Sequence, residues 1–159
     1  MLSFLIFLFV LFFFRDPHRE IEEGIVSPAD GTIIEKDEKI SIFMNLWNVH
    51  VNRAPFSGEI EKIEHHAGKH TFAFKEKGEN ERLITSLKTK IGTVKIIQIA
   101  GIFARRIIPY VKEGDFVKKG DKIGIVRFGS KVEVHMPENA TINVKKGDKI
   151  KAGQTIGMY

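Results

Sequence analysis

The pattern of apolar and polar residues divides the chain into two regions. Residues 1–14 are apolar except for Ser3, whereas the chain after Pro17 consists of short apolar or alternating runs separated by turns that contain glycine. Runs such as GIVSPADGTIIEK, NVHVN, GTVKIIQIAG and KVEVHM are short and evenly spaced, which is typical of an all-β barrel or sandwich. The pattern predicts one mainly β domain over residues 15–159. Beyond the N-terminus, helix is expected only in GIFARRIIPY and in MNLW.

The N-terminal segment predicts a helical membrane anchor. A helix over residues 1–14 is roughly 21 Å long and apolar on all sides, compared with roughly 30 Å for the hydrocarbon core of a bilayer. We therefore expect it either to dip into one leaflet or to be the remnant of a longer span. Arg15 and Arg19 would then lie at the interface on the cytoplasmic side. This predicts a peripheral or monotopic protein of the cell membrane.

An internal repeat agrees with the predicted β fold. Residues 110–126 and 143–159 share the pattern V-K-x-G-D-x-[VI]-K-x-G-x-x-I-G, and each copy predicts two glycine turns alternating with two short strands. Such repeats resemble the two halves of a barrel-sandwich hybrid, the fold of biotinyl and lipoyl carrier domains. In a carrier the modified lysine would be Lys131, although its neighbours match neither carrier motif. A membrane-tethered carrier or scaffold domain is the alternative function.

Composition narrows the possible chemistry. The chain has no cysteine, which excludes disulfides, thiolate nucleophiles and cysteine-based zinc sites. The net charge of +5 is a mild basic excess, and the basic residues are scattered rather than gathered on one helix. We therefore expect no nucleic-acid partner. The remaining candidates for a nucleophile are serine, threonine, lysine and the carboxylates.

The stretch VRFGSKVEVHMP, residues 126–137, contains the most unusual pattern. Counted in twos, Ser130 shares the apolar face with Val126, Val132 and Val134, so it should point into the core. A buried hydroxyl without a partner is costly, and Gly129 weakens a strand interior. The pattern predicts one strand that carries a Gly-Ser pair on its buried side.

Histidine and aspartate supply the other candidates for chemistry. In NLWNVHVN, alternation puts His50 on a polar face between two asparagines, and by itself this pattern favours an exposed side chain. Asp30 lies in SPADGT, where turn chemistry alone explains an aspartate before glycine. The cluster HHAGKH, residues 65–70, suggests a metal site. No carboxylate has a matching spacing, however, so a solvated loop is expected.

Taken together, six segments resemble the pattern of a known protein family. FFRDPHREI, VSPADGTI, NVHVNRAPFSGEI, NER, QIAGIFARRI and RFGSKVEV occur in this order and run from about Phe13 to the C-terminus. They resemble the short form of the phosphatidylserine decarboxylase family, including its archaeal archaetidylserine relatives. The resemblance implies that the chain cleaves itself between Gly129 and Ser130, giving a beta chain, 1–129, and an alpha chain, 130–159. It also implies that Ser130 becomes a pyruvoyl group, with no metal or external cofactor.

The resemblance also implies roles for single residues. Ser130 Oγ would attack the Gly129 carbonyl, His50 would act as the general base, and Asp30 would orient its imidazole. The pyruvoyl group would then form a Schiff base with the amine of a serine phospholipid. Loss of CO₂ would leave the ethanolamine phospholipid.

Several alternatives remain open at this level. Longer bacterial relatives carry a second histidine shortly before the one matched by His50, and this chain has Trp47 and Asn48 there. Either His50 also delivers the proton after decarboxylation, or another group or water does. Arg105 and Arg106 would bind the lipid phosphate or form structural ion pairs. A diacyl and an ether-linked isoprenoid lipid both fit as substrate, and exposed strand edges allow a homo-oligomer.

Overall fold

The computed structural model describes residues 1–68, 80–101, 106–126 and 130–159. Within these residues the chain forms one helix and fourteen strands, which confirms the predicted mainly β fold. The elements are α1 Leu2–Phe13, β1 Ile25–Val26, β2 Gly31–Lys36, β3 Ile40–Met44, β4 Val51–Arg53, β5 Gly58–His66, β6 Arg82–Thr89, β7 Gly92–Ile99, β8 Ile107–Pro109, β9 Phe116–Val117, β10 Lys122–Val126, β11 Ser130–His135, β12 Thr141–Ile142, β13 Lys149–Ile150 and β14 Thr155–Met158.

The strands pair antiparallel in three sheets. The largest has eight strands in the order β13-β2-β3-β11-β7-β6-β5-β9, and two smaller sheets have the orders β4-β10-β8 and β1-β14-β12. Strand β11 lies inside the large sheet, with Ser130 opposite Met44 of β3 and Val132 opposite Gln98 of β7. Alternate residues of these strands face a continuous apolar core that includes Ile42, Met44, Ile96, Val132 and Val134. The large sheet therefore presents the inward face of β11 to the core.

The internal repeat produces four matching turns. In each turn a backbone N–H donates to a side-chain oxygen three residues later, over 2.7–2.9 Å; the acceptors are Asp115, Asp121, Asp148 and Gln154. The glycine before each acceptor has a φ between 88° and 96°, in the left-handed region that favours glycine. The repeated V-K-x-G-D pattern is therefore a repeated turn that leads into a strand.

The prediction of one strand through the Gly-Ser pair is wrong. β10 ends at Val126 in the sheet with β4 and β8, whereas β11 begins at Ser130 in the eight-stranded sheet. The chain thus changes sheets between these residues, and residues 127–129 lie outside the described part. The face assignment from alternation is confirmed nevertheless, because Ser130 is fully buried.

Of the two segments predicted to be helical, MNLW is not helical, and residues 102–105 of GIFARRIIPY lie outside the described part of the chain. MNLW is the end of β3 followed by a turn, in which Trp47 N donates to the Asn45 side chain and Asn45 N donates to the Asn48 side chain. Asparagine side chains that bond nearby backbone groups favour turns over helix, which explains the difference. In GIFARRIIPY the described end, Ile107–Pro109, is strand β8.

The N-terminal segment is helical, as predicted. α1 exposes most of its apolar side chains, and its only buried residue is Phe13, at its C-terminal end. No helix in the described ranges combines the length and the apolar character needed to cross a membrane.

Candidate active site

Ser130 is the first residue of β11, and its side chain lies in the core. Its backbone pairs with Met44 of β3, and its buried Oγ has no hydrogen-bond partner among the described residues. Leaving a buried hydroxyl unpaired costs about 1–3 kcal/mol. The inward serine predicted from alternation is therefore present, and nothing in its packing compensates for its polarity.

His50 directly precedes β4 and is also fully buried, so the exposure suggested by the pattern around it is wrong. Its Nδ1 lies 2.9 Å from the carbonyl oxygen of Asn48. Because a carbonyl can only accept, Nδ1 carries the hydrogen, and Nε2 is left as an acceptor with no partner in the described ranges. This is the tautomer that a general base requires.

The surroundings of His50 keep its imidazole neutral. Burial is the main cause that lowers the pKa of His50 to about 4, and the charge of Arg15 lowers the pKa further. The hydrogen bond to the Asn48 carbonyl and the charge of Asp30 act in the opposite direction. At neutral pH the ring is therefore unprotonated and ready to accept a proton at Nε2.

A series of contacts joins β4, which begins directly after His50, to β11, which begins at Ser130. Asn52, two residues after His50, accepts a 2.8 Å hydrogen bond at its Oδ1 from Gln98 Nε2 on β7. Its own Nδ2 lies 3.6 Å from the sulfur of Met44, the residue paired with Ser130. The site thus lies where the β4-β10-β8 sheet meets the eight-stranded sheet. We call His50, Asn52, Gln98 and Ser130 the buried polar cluster.

Asn52 and Gln98 were not among the residues predicted from the sequence. Within the described part of the chain, three atoms of the buried polar cluster have no hydrogen-bond partner: His50 Nε2, Gln98 Oε1 and Ser130 Oγ. The signal for Gln98 was present in GTVKIIQIAG, where it occupies an inward position after Val94 and Ile96. Unpaired polar atoms from β7, from β11 and from the residue before β4 mark a site shaped for reaction rather than for stability.

Asp30 lies near this cluster but bonds elsewhere. Its Oδ2 accepts a hydrogen bond from Arg19 Nη2 over 2.6 Å, and its Oδ1 accepts one from the Ala152 backbone over 2.9 Å. His50 Nδ1 is occupied by the Asn48 carbonyl, so Asp30 acts on the imidazole through its charge. Arg19, expected at a membrane interface, is largely buried in its ion pair with Asp30.

The other predicted site residues have different positions. Gly129 and Arg105 lie outside the described residues, and Arg106 is exposed next to β8. Lys131 is buried with its Nζ 2.7 Å from Glu133 Oε1, a position that does not suit the presented lysine of a carrier domain.

The histidine cluster does not form a metal site in the described residues. His65 and His66 end strand β5 rather than lying in a loop, and His65 Nε2 is 2.8 Å from Glu81 Oε1. His70 lies outside the described part of the chain. Across the described ranges, no three histidine or carboxylate side chains are grouped so that they could hold a metal ion.

Comparison with known proteins agrees with this geometry. The family model for phosphatidylserine decarboxylase matches residues 6–158, nearly the whole chain. The chain belongs to the phosphatidylserine decarboxylase family. It is 47% identical over 154 residues to the phosphatidylserine decarboxylase proenzyme of Streptomyces avermitilis, covering 92% of this chain and 72% of that protein. The family resemblance inferred from the six segments is thereby confirmed.

Archaeal members of the family match equally well. A protein of Methanosarcina mazei named archaetidylserine decarboxylase proenzyme is 48% identical over 152 residues, covering 92% of this chain and 73% of that protein. One of the same name from Archaeoglobus fulgidus is 46% identical over 155 residues, covering 95% and 78%. This phosphatidylserine decarboxylase family member is therefore a carboxy-lyase, and the proenzyme names fit a self-processing chain. The carrier alternative is not favoured.

Proposed function

We propose that this decarboxylase cleaves its own chain between Gly129 and Ser130 and then converts a serine phospholipid into the ethanolamine phospholipid and CO₂. Membership of the family supports the reaction class. The observation that carries the proposal is the buried polar cluster, in which a hydroxyl and a neutral imidazole nitrogen both lack partners among the residues that the structure describes. A fold that needed only stability would not retain these unpaired atoms in its core.

Self-cleavage follows from the chemistry of these two side chains. His50 Nε2 accepts the Ser130 hydroxyl proton as Oγ attacks the Gly129 carbonyl, and transfer of the acyl group from nitrogen to oxygen gives an ester. Removal of the Ser130 α-proton breaks the ester C–O bond, releasing the Gly129 carboxylate and leaving dehydroalanine at position 130. Addition of water and loss of ammonia then give the pyruvoyl end of the alpha chain. The charge of Asp30 stabilises the protonated imidazole during the first step.

The buried polar cluster fits a pyruvoyl group at position 130. The Ser130 side chain occupies a buried place on β11, and His50 Nε2 and Gln98 Oε1, which have no hydrogen-bond partner among the described residues, would supply polar atoms to the proposed site. The pyruvoyl group supplies an electron sink for the electron pair left when CO₂ departs. His50 can hold a proton at Nε2 and return it, because its neutral state at pH 7 leaves that nitrogen open. The surrounding apolar core excludes water.

The proposal places the enzyme at a membrane, where its lipid substrate is found. Residues 1–14 contain no charged side chain, and α1 exposes large apolar residues such as Phe4, Leu5 and Phe7. We assign α1 to one leaflet of the cell membrane on its cytoplasmic side, in a peripheral or monotopic arrangement. Arg105 and Arg106 are the proposed ligands of the lipid phosphate. The four matching turns support a barrel-sandwich arrangement of the β domain.

The direct test is the state of the freshly made chain. Denaturing electrophoresis and intact-mass measurement should show two fragments, residues 1–129 and 130–159, with the smaller one carrying a blocked N-terminus. The Ser130→Ala chain should remain intact and inactive. Release of CO₂ from vesicles of phosphatidylserine and of archaetidylserine then identifies the lipid class. An intact wild-type chain that still releases CO₂ would disprove the proposed self-cleavage.

A further inference from the structure

The C-terminal end of helix α1 packs directly against His50. The rings of Phe13 and His50 have centroids 4.4 Å apart and planes tilted by 32°, and both side chains are fully buried. Phe13 is the only buried residue of α1. The helix that we assign to the membrane therefore closes one face of the proposed base with its last residue.

A second set of contacts fastens this end of the helix. Arg15 Nη2 donates to the Trp47 carbonyl over 2.6 Å, Arg15 Nη1 donates to the Phe12 carbonyl over 2.7 Å, and the guanidinium lies 3.7 Å from the Phe12 ring centroid. The Phe12 and Trp47 rings also meet edge to face, with centroids 6.1 Å apart. Trp47 belongs to the turn that includes Asn48, whose carbonyl holds His50 Nδ1. The C-terminal end of α1 is thus linked to His50 in two ways: directly through the Phe13 ring, and through the contacts of Phe12 and Arg15 with Trp47.

We propose that Phe13 is a positioning residue for self-cleavage, since its ring holds the His50 imidazole in place and keeps water from that face. This inference rests on the proposed function because it takes His50 as the general base. This role of Phe13 makes α1 a part of the active site, in addition to its proposed contact with the membrane. The loss of the ring should therefore change the base itself, and not only the packing around it.

Two charged groups act on the imidazole and define what the test should show. Arg15 lowers the pKa of His50, whereas Asp30, paired with Arg19, raises it; burial is the largest influence and lowers it. Phe13→Ala would admit water while leaving both charges in place. The pKa of His50 should then rise from about 4 towards its ordinary value of 6.5. As the pH falls, His50 would then become protonated, and stop acting as a base, at a higher pH than in the wild-type chain.

The full chain is made by translation in detergent micelles. The rate of its self-cleavage is then measured at pH values between 3.5 and 8. Phe13→Ala should slow cleavage at neutral pH by about tenfold or more and move the acidic limb of the pH–rate profile upward. Phe13→Tyr keeps the ring and should restore the position of that limb. Phe116→Ala is the control for loss of a phenyl ring, because Phe116 is exposed and lies outside both α1 and the buried polar cluster. It should leave both the rate and the limb unchanged.

The outcomes separate this inference from the proposed function. A Phe13→Ala chain that cleaves at the wild-type rate overturns the inference, and so does one that cleaves more slowly with an unmoved acidic limb. If Phe13→Ala fails to fold, Phe13→Leu decides, because it removes the ring that covers the imidazole while keeping part of the apolar volume; it should shift the limb in the same direction by a smaller amount. If His50→Ala cleaves normally, the proposed base is wrong. If His50→Ala stops cleavage while Phe13→Ala leaves it intact, the inference about Phe13 fails alone.

Discussion

The repeat turns and the buried polar cluster differ in whether their polar side-chain atoms have hydrogen-bond partners. In the turns, each of four side-chain oxygens accepts a backbone hydrogen bond, and the acceptors lie at the surface or near it. In the cluster, three buried atoms, on His50, Gln98 and Ser130, have no hydrogen-bond partner among the residues that the structure describes. Each unpaired atom costs about 1–3 kcal/mol, whereas a satisfied turn contributes about 1 kcal/mol. The turns therefore serve the fold, and the cluster lowers stability where the reaction needs unbonded groups.

The largest effect on the cluster, apart from loss of Ser130 itself, should come from His50→Ala. Without a base the serine hydroxyl is a poor nucleophile, so self-cleavage should slow by about 10²- to 10⁴-fold and uncleaved precursor should accumulate. A time course on denaturing gels measures this rate. His65→Ala, which removes a histidine outside the cluster, is the matched control and should cleave normally. Normal cleavage by His50→Ala would exclude it as the base.

A smaller effect is expected from Asp30→Asn. The substitution removes the charge that favours protonated His50 and weakens the ion pair with Arg19. Self-cleavage should slow by about tenfold, since the charge acts on the imidazole without a direct hydrogen bond. Arg19→Gln separates the two causes, because it breaks the ion pair and keeps the carboxylate. If both variants cleave at the wild-type rate, Asp30 has no part in the reaction.

The cluster should also make stability depend on pH. Because the pKa of His50 is about 4 in the folded chain and 6.5 when exposed, the unfolded chain binds a proton first as the pH falls. The free energy of unfolding should therefore decrease by up to about 3 kcal/mol between pH 6.5 and pH 4. Urea titrations of the uncleaved Ser130→Ala chain measure this decrease. Adding His50→Gln should remove it, and an unchanged slope would contradict the burial of a neutral imidazole.

The smallest effect is expected in the turns. Asp148→Ala removes the acceptor for the Lys145 backbone N–H and should lower the free energy of unfolding by about 1 kcal/mol. Self-cleavage should keep its wild-type rate, since the turn contributes no group to the cluster. Gln154→Ala, at the equivalent turn of the same repeat, should behave alike. A turn variant that slowed cleavage would remove the distinction between the two regions.

The features that the sequence predicted correctly are those set by short-range geometry. A Gly-Asp turn depends on neighbouring residues, so the repeat in residues 110–126 and 143–159 indicated its own structure. Alternation along a strand placed Ser130 on the inward face even though the strand itself was assigned wrongly. For His50 the same rule gave a polar face but no indication of burial, because burial depends on what packs against that face.

Sequence patterns were enough to predict the mainly β fold, the inward serine and, through six ordered segments, the family. Three features became evident only in the folded chain: the change of sheets between β10 and β11, the contribution of Gln98 and Asn52 to the site, and the packing of Phe13 over His50. These features depend on contacts between residues far apart in the chain; Ser130 and Met44, for example, are 130 − 44 = 86 positions apart. Local propensity cannot specify such contacts, because a strand's partner is selected by packing across the whole core.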